Sequence, residues 1–230
     1  MTHTTRIALC AAILFGMVGL SNAETTTFGP SAYLQTGDTP SGFFCAECVG
    51  WIEDFELGTV DPFLTIDNGG ILDPNSFSGL MNSVTDSVDG DDGSVDGQGN
   101  DGFSYFADSN SISISFARTV KNAGLVFTDG DRISTNIRLE AFDMGGNSLA
   151  AIDAGDLADE FFTGETAEDT FLGFQNTDGN IASITLTMTG GSGIEIDHVH
   201  WQEACAIPEP TTGLMALFAV LGVAGLRKRR

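Results

Sequence analysis

An Asp-rich segment offers the clearest set of oxygen ligands in this sequence. The stretch Asp92-Gly-Ser94-Val-Asp96-Gly97 carries oxygen-bearing side chains at alternate positions and turns on glycine. Ca²⁺ takes about six to eight oxygens, and loops of this kind supply several of them. Asn100 falls at the position where a ligand often acts through a water. The pattern predicts a calcium site formed by Asp89, Asp91, Asp92, Ser94, Asp96 and Asn100.

This segment differs from an EF-hand at its closing position, where Phe103 replaces the expected Glu. No helical pattern flanks it. The alternative is an acidic loop that holds no ion, because residues 86–102 are mostly Asp, Gly and Ser and offer no apolar face. Both interpretations stay open.

Two histidines form a second candidate metal site. His198 and His200 lie two residues apart, so on a strand their imidazoles share one face. The same alternation predicts that Asp197 points to the opposite face. A cupin-like site needs three or four residues between its second His and the Glu, but only two residues separate His200 from Glu203. We therefore favour histidines that lie at the protein surface or pack at an edge.

Catalytic signatures are missing from the sequence. There is no G-x-S-x-G serine elbow, and no glycine-rich phosphate loop joins a strand to a helix. Carboxylate pairs such as Glu195 and Asp197 carry no further mark of glycoside hydrolysis. We predict a non-enzymatic protein in which Tyr105 and Trp201 are the candidates for stacking on sugar rings.

Three cysteines follow the N-terminal apolar run, and Cys45-Ala-Glu-Cys48 is a C-x-x-C motif. It stands outside any thioredoxin-like βαβ pattern and has no second pair for zinc. We predict a structural disulfide, either within the motif or from one member to Cys205.

The charge balance excludes several partners. The formal net charge is −23, and five of the nine Lys and Arg residues lie in the two terminal segments. The body keeps Arg118, Lys121, Arg132 and Arg138. Nucleic acids and anionic membranes need clustered cations, so neither is an expected partner. The acidic surface favours divalent cations and solubility.

Short alternating apolar runs between Gly, Asp and Asn clusters indicate strands throughout residues 24–206. Ile112, Ile114 and Phe116 alternate with serines, and residues 123–127 are apolar on both faces before a Thr-Asp-Gly turn signal. Further strands are predicted at 51–55, 137–141, 181–188 and 193–201, with a helical turn at 166–171. The fold class is all-β, an antiparallel sandwich of jelly-roll type.

Both termini carry targeting patterns. Residues 1–23 combine Arg6, an apolar run and a small-x-small exit ending at Ala23, which predicts a cleaved signal peptide. Residues 207–230 combine Pro208, Glu209 and Pro210, sixteen uncharged residues, and the basic stop Arg227, Lys228, Arg229 and Arg230. The apolar run reaches about 24 Å as a helix, less than a bilayer core of about 30 Å, so it suits a transient membrane stop. The basic end stays cytoplasmic.

This tail resembles the PEP-CTERM sorting signal of Gram-negative bacteria that make extracellular polysaccharide. The resemblance implies that exosortase, a membrane-embedded transpeptidase, cuts the chain near Pro208–Pro210 and sends it to the surface or the medium. The segments 123–130, 139–143, 164–169 and 193–198 also resemble a recurrent PEP-CTERM ectodomain, which implies a lectin-like β-sandwich without an established activity.

The expected protein is an exported surface or matrix component with a structural or polysaccharide-binding role, with calcium as its candidate cofactor. Its expected partners are exosortase and extracellular polysaccharide. A glycan-active enzyme and a passive acidic coat protein remain the alternatives.

Overall fold

A computed structural model describes residues 23–74, 85–130, 136–157, 164–191 and 193–204. The predicted signal peptide before Ala23 and the predicted sorting segment at 207–230 lie outside these residues, as does Cys205. In the part of the chain that is described, no helix has the length and apolar character needed to cross a bilayer.

The described chain is all-β, as the sequence predicted, with two short 3₁₀ helices at Thr36–Asp38 and Asp89–Asp92. The strands are β1 Thr25–Ala32, β2 Gly50–Glu53, β3 Leu64–Ile66, β4 Gly70–Leu72, β5 Ser104–Ala107, β6 Ser111–Val120, β7 Asn122–Gly130, β8 Asn136–Phe142, β9 Ser148–Gly155, β10 Thr170–Asn176, β11 Ile181–Thr189 and β12 Ile194–Gln202.

The strands form two antiparallel sheets. The larger has the order β1-β10-β7-β12-β5-β4, with β2 also paired to β12, and the smaller has the order β3-β6-β11-β8-β9. Alternating residues of both sheets meet in one core, such as Ile114 and Leu139 from the smaller sheet and Leu125 and Ile196 from the larger. Burying these apolar faces against each other is what stabilises the sandwich.

The larger sheet is also covered on its other face. All residues of β7 and β12 are buried, because loops from residues 33–48 and 85–102 cross the outer face of the sheet. A second apolar cluster of Tyr33, Phe43, Val88, Val126 and Phe171 fastens these loops there. We call the outer face of the larger sheet, where these loops lie over it, the covered face. Its strand positions are largely polar, which is unusual for a buried surface and marks it as the candidate site.

Two predictions about local structure are wrong. The segment at 166–171 was predicted to hold a helical turn, but β10 begins at Thr170 and bends precede it. The Thr-Asp-Gly sequence at 128–130 does not end its strand, since β7 continues to Gly130 by pairing with β12.

Candidate functional site

Irregular pairing in β12 places the site's side chains. Core residues Ile194 and Ile196 are followed by Val199 and Trp201, so the inward alternation slips by one residue between them. The pairing of β12 with β7 shifts between Asp197 and His200, and His198 has a φ of 41°, as at a β-bulge. The expectation that Asp197 points away from His198 is therefore wrong, because both lie on the covered face.

His198 is the centre of a hydrogen-bonded chain. Its Nε2 lies 2.7 Å from Oδ2 of Asp91, and its Nδ1 lies 2.9 Å from the hydroxyl of Tyr33. That hydroxyl is also 3.1 Å from Nε2 of His200. The Nδ1–H of His200 donates to the carbonyl of His198 at 2.6 Å, which leaves Nε2 of His200 as the acceptor for Tyr33. The two histidines are thus coupled through a phenol. The prediction that they lie at the surface or at an edge is wrong, because both are buried on β12, a central strand of the larger sheet.

Burial sets the protonation of these groups. Desolvation, followed by the positive charge that His198 can carry, lowers the pKa of His200 to about 3, so its ring is neutral in the folded protein. Burial, followed by the negative charge of Asp91, raises the pKa of Asp197. Asp91, Asp197 and His198 each offer one ligand atom within 4.8 Å of the others, so they form one group able to hold a metal.

A second group lies deeper in the covered face. One carboxylate oxygen each from Asp86, Asp129 and Glu168 lies within 4.8 Å of the others, and all three residues are buried. A register shift between Glu195 and Ile196 places Asp129 directly opposite Glu195, which is also buried. Four carboxylates from four separate segments therefore face one another.

Asp86 lies in an environment that is unfavourable for a carboxylate. Its side chain is 1% exposed, and neither carboxylate oxygen has a hydrogen-bond partner among the described residues. Burial, followed by the negative charge of Glu195, raises its pKa to about 12. Burial and the charge of Glu168 likewise raise the pKa of Asp169 to about 9. We call Asp86, Asp129, Glu168 and Glu195 the interior carboxylate group.

The residues predicted as a calcium loop take separate roles. Asp89 is buried and accepts hydrogen bonds from the backbone amides of Asp96 and Gly97 at 3.1 and 2.9 Å, which closes the loop on itself. Ser94 donates its hydroxyl proton to Asp96 at 3.3 Å, and its own amide donates to Asp92. Of the six predicted ligands, Asp91 alone joins a convergent group among the described residues.

The loop also forms one wall of a surface cleft of about 410 Å³. The amide N–H of Gly90 donates to the carbonyl of Leu34 at 2.8 Å, which ties the loop to the opposite wall at Thr36–Asp38. The cleft is lined by Gln35, Thr36, Gly37, Gly90, Asp91, Gly93, Ser94 and Val95. Asp91 thus reaches both the cleft and the buried His198.

The aromatic residues predicted to stack on sugars are not available. Tyr105 is 6% exposed and donates its hydroxyl proton to the carbonyl of Asn68, while Trp201 is 3% exposed and stacks on Phe63. That prediction is corrected, because both rings belong to the core. Trp51, which is 51% exposed on β2, is the tryptophan that solvent can reach.

The two described cysteines differ in state. Cys45 is a free thiol, whereas Cys48 is disulfide-bonded. The bond is therefore not within the C-x-x-C motif, and its other half lies outside the described residues. Gln202 fixes this loop on the covered face by donating to the carbonyls of Cys45 and Cys48.

The interior carboxylates were missed because they come from separate segments. Asp129 sat in a presumed turn, and Asp86 and Glu168 precede elements whose pairing the sequence does not specify. The signal that could have found them is the excess of acids in apolar surroundings, as in the Leu-Val-Phe-Thr-Asp run that ends at Asp129.

The chain matches no protein-family profile and no curated protein. Among solved structures it is similar to a glycoside hydrolase family 87 α-1,3-glucanase catalytic domain, with 13% identity over 70% of this chain and a TM-score of 0.36. The match spans 30% of that catalytic domain. A family 35 carbohydrate-binding module from Clostridium thermocellum matches with 14% identity over 68% of this chain and 99% of the module, with a TM-score of 0.33. A DUF4465 family protein from Bacteroides caccae matches with 10% identity over 82% of this chain and 97% of that protein, with a TM-score of 0.37. Similarity at this level assigns neither a family nor an activity.

Proposed function

We propose that this protein is a non-enzymatic, exported component of an extracellular polysaccharide layer, and that it binds glycan in the cleft beside Asp91. The observation that carries the proposal is the lining of that cleft. Thr36 and Ser94 supply hydroxyls, Gln35 an amide and Asp91 a carboxylate. These are the groups that exchange hydrogen bonds with sugar hydroxyls.

The size and mixed character of the cleft support a sugar ligand. Its volume of about 410 Å³ falls in the range of small-molecule sites, which is roughly 300–1,000 Å³. Val95 is half exposed at its edge and offers a small apolar surface for the carbon face of a ring. The walls are fastened to the covered face, so little ordering is needed on binding.

The charges in the cleft support binding over hydrolysis. Glycoside hydrolysis uses two carboxylates about 5–9.5 Å apart on either side of the scissile bond. Asp91 is the one ionisable side chain in the cleft lining, and its Oδ2 is engaged by His198. The interior carboxylate group is buried beneath the loops, so a polymer has no access to it.

The proposal places the protein outside the inner membrane. The predicted signal peptide at 1–23 would export it, and the predicted sorting segment at 207–230 would hold it until exosortase acts near Pro208, Glu209 and Pro210. The jelly-roll connectivity of the sandwich belongs to the same proposal. The net charge of −23 would keep the protein soluble in this layer.

The test measures retention of the purified full chain on the producer's own polysaccharide, with calcium and again with EDTA. The double variant Thr36→Ala/Ser94→Ala removes two hydroxyls, and two hydrogen bonds at about 1 kcal/mol each correspond to about a thirtyfold loss of affinity. Thr65→Ala, an exposed hydroxyl on the smaller sheet, is the matched control and should retain full binding.

The alternatives give different results in the same assay. Release of new reducing ends would identify a glycan-active enzyme. Equal retention of the double variant and the control would remove the cleft from the mechanism. No retention under any condition would leave a passive acidic coat.

A further inference from the structure

We infer that the interior carboxylate group is a calcium site, with Asp86, Asp129 and Glu168 as ligands and Glu195 as a supporting oxygen donor. This site is distinct from both the glycan cleft and the Asp-rich loop motif. The inference does not rest on the proposed function, because a structural ion would be held whether or not the cleft binds sugar.

The state of Asp86 is the observation that points to a ligand. An ionised carboxylate buried without partners is strongly unfavourable, so such groups pair with a cation or become protonated. Neither oxygen of Asp86 receives a hydrogen bond from the described residues, so its burial is offset by no protein donor there. A cation between the three carboxylate oxygens would give Asp86 the partner that it lacks.

The backbone around Asp86 holds its side chain in the group. Its amide donates to Oε1 of Glu195 at 2.7 Å, and the hydroxyl of Ser104 donates to the same oxygen. The next amide, that of Ser87, donates to the carbonyl of Gly99 at 2.7 Å. Strands β7 and β12 and the two segments that carry Asp86 and Glu168 therefore bring their carboxylates together.

Two of the four cations in the body of the chain are paired away from this group. Arg118 pairs with Glu203 at 2.7 Å, and Arg138 pairs with Asp153 at 2.8 Å, both at the surface. A metal ion can enter a space between carboxylates that a long side chain cannot. We therefore interpret the buried acids of this group as ligands for a divalent cation.

The donor chemistry favours calcium among divalent cations. All the convergent ligands are carboxylate oxygens, which suit hard cations and not zinc or copper. Carboxylates can bind Ca²⁺ through one or both oxygens in flexible geometry, whereas Mg²⁺ requires a near-octahedral shell and keeps several waters. A buried group of several carboxylates therefore favours Ca²⁺.

Such an ion would have a structural role. Asp86 begins the Asp-rich loop, Asp129 lies in β7 and Glu168 precedes β10, so one ion would fasten the loop wall of the cleft to the larger sheet. Binding of the ion by the folded chain and not by the unfolded chain would raise stability by mass action.

The experiment titrates CaCl₂ into the EDTA-treated full chain by calorimetry and records thermal unfolding with CaCl₂, MgCl₂ or EDTA. We expect one calcium ion in this site and, at a hundredfold excess over Kd, a rise of about 5–10 °C in the unfolding midpoint. Asp86→Asn and Glu168→Gln should each weaken calcium binding at least tenfold. In EDTA, Asp86→Asn should unfold at the same temperature as the wild type or at a higher one. If the Asp86 carboxylate stabilised the fold directly, its replacement would lower the unfolding temperature.

Asp96→Asn is the matched control, since it removes an exposed acid of the Asp-rich loop. Full calcium binding by this variant supports the interior site. Loss of binding in Asp96→Asn with binding retained in Asp86→Asn would assign calcium to the loop and overturn the inference. The absence of binding heat and of a calcium-dependent midpoint in the wild type would also overturn it, as would an equal response to Mg²⁺. If Asp86→Asn does not fold, Glu168→Gln decides.

Discussion

The hydroxyl of Tyr33 lies 2.9 Å from Nδ1 of His198, although the two residues are 165 positions apart in the chain. Tyr33 belongs to the loop that covers the larger sheet, and His198 belongs to the bulge in β12. The same hydroxyl contacts His200, so one side chain of the loop satisfies two buried imidazoles. This contact joins the cover to the sheet directly beneath the cleft.

Replacing Tyr33 by Phe should therefore destabilise the protein without disturbing its packing. The ring would still stack on Phe171, but Nδ1 of His198 would lose its partner and Nε2 of His200 would keep only the hydroxyl of Thr39 at 3.3 Å. We expect a loss of about 1–3 kcal/mol in the free energy of unfolding, measured by urea denaturation.

Tyr105→Phe is the control for this substitution. Its hydroxyl makes one hydrogen bond, to the carbonyl of Asn68, so the expected loss is about 0.5–1.5 kcal/mol. Equal losses in the two variants would argue against a special role for the histidine chain.

The strands could be predicted because each one carries its own pattern. In β6, Ile112, Ile114 and Phe116 are buried between more exposed serines, as their alternation predicted. Residues 123–127 are buried on both faces, also as predicted. Periodicity records which face of a strand meets the core, and it needs no knowledge of the neighbouring strands.

The candidate site could not be predicted in the same way. Strict alternation separates Asp197 from His198, and one bulged residue brings them together. Asp86 and Glu168 meet only because two loops close over the same sheet, which depends on pairing between distant segments. The Asp-rich loop does have a recognisable motif. However, its carboxylate oxygens at Asp89 and Asp96 accept hydrogen bonds from the backbone and side chains of the loop itself.

Stability in acid should depend on His200. The pKa of its folded form is about 3, against an ordinary value of 6.5, so the unfolded chain binds more protons between these values. The neutral ring contributes fully to the free energy of unfolding above pH 6.5. This contribution is lost as pH falls towards 3, by up to about 1.4 kcal/mol for each pH unit. His200→Phe should remove this slope, as measured by urea denaturation from neutral pH to about pH 4. An unchanged slope would exclude His200 as its origin.

Without divalent cations, alkaline pH should also destabilise the protein. The folded pKa values of Asp86 and Asp169 are about 12 and about 9, against 3.8 in the unfolded chain, so here the folded state binds more protons. Their contribution is present at low pH and falls as pH rises, by up to about 1.4 kcal/mol per pH unit for each group.

This loss is best measured in EDTA between about pH 7 and pH 9, where histidine no longer titrates. Asp86→Asn should reduce the slope by up to about 1.4 kcal/mol per pH unit, because one of the buried acids with a raised pKa is removed. Saturating calcium should abolish it, since the ion keeps the carboxylates ionised in the folded state. A stability that rises with pH in EDTA would contradict the assignment of these two acids as protonated.

Gly99 offers a test that leaves every charge in place. A Cβ atom at this position would lie 2.1 Å from the carbonyl oxygen of Ser87 and 3.1 Å from Oδ1 of Asp86. The first contact is with backbone, so Gly99→Ala must displace the loop segment that carries Asp86 and Ser87. We expect it to destabilise the protein by about 1–3 kcal/mol, as overpacking does, and to weaken calcium binding together with the loop geometry. Gly70→Ala, where a Cβ meets nothing within 4 Å, should leave both quantities unchanged. If Gly99→Ala lowered stability but left calcium affinity equal to that of Gly70→Ala, the ion would have to bind away from Asp86.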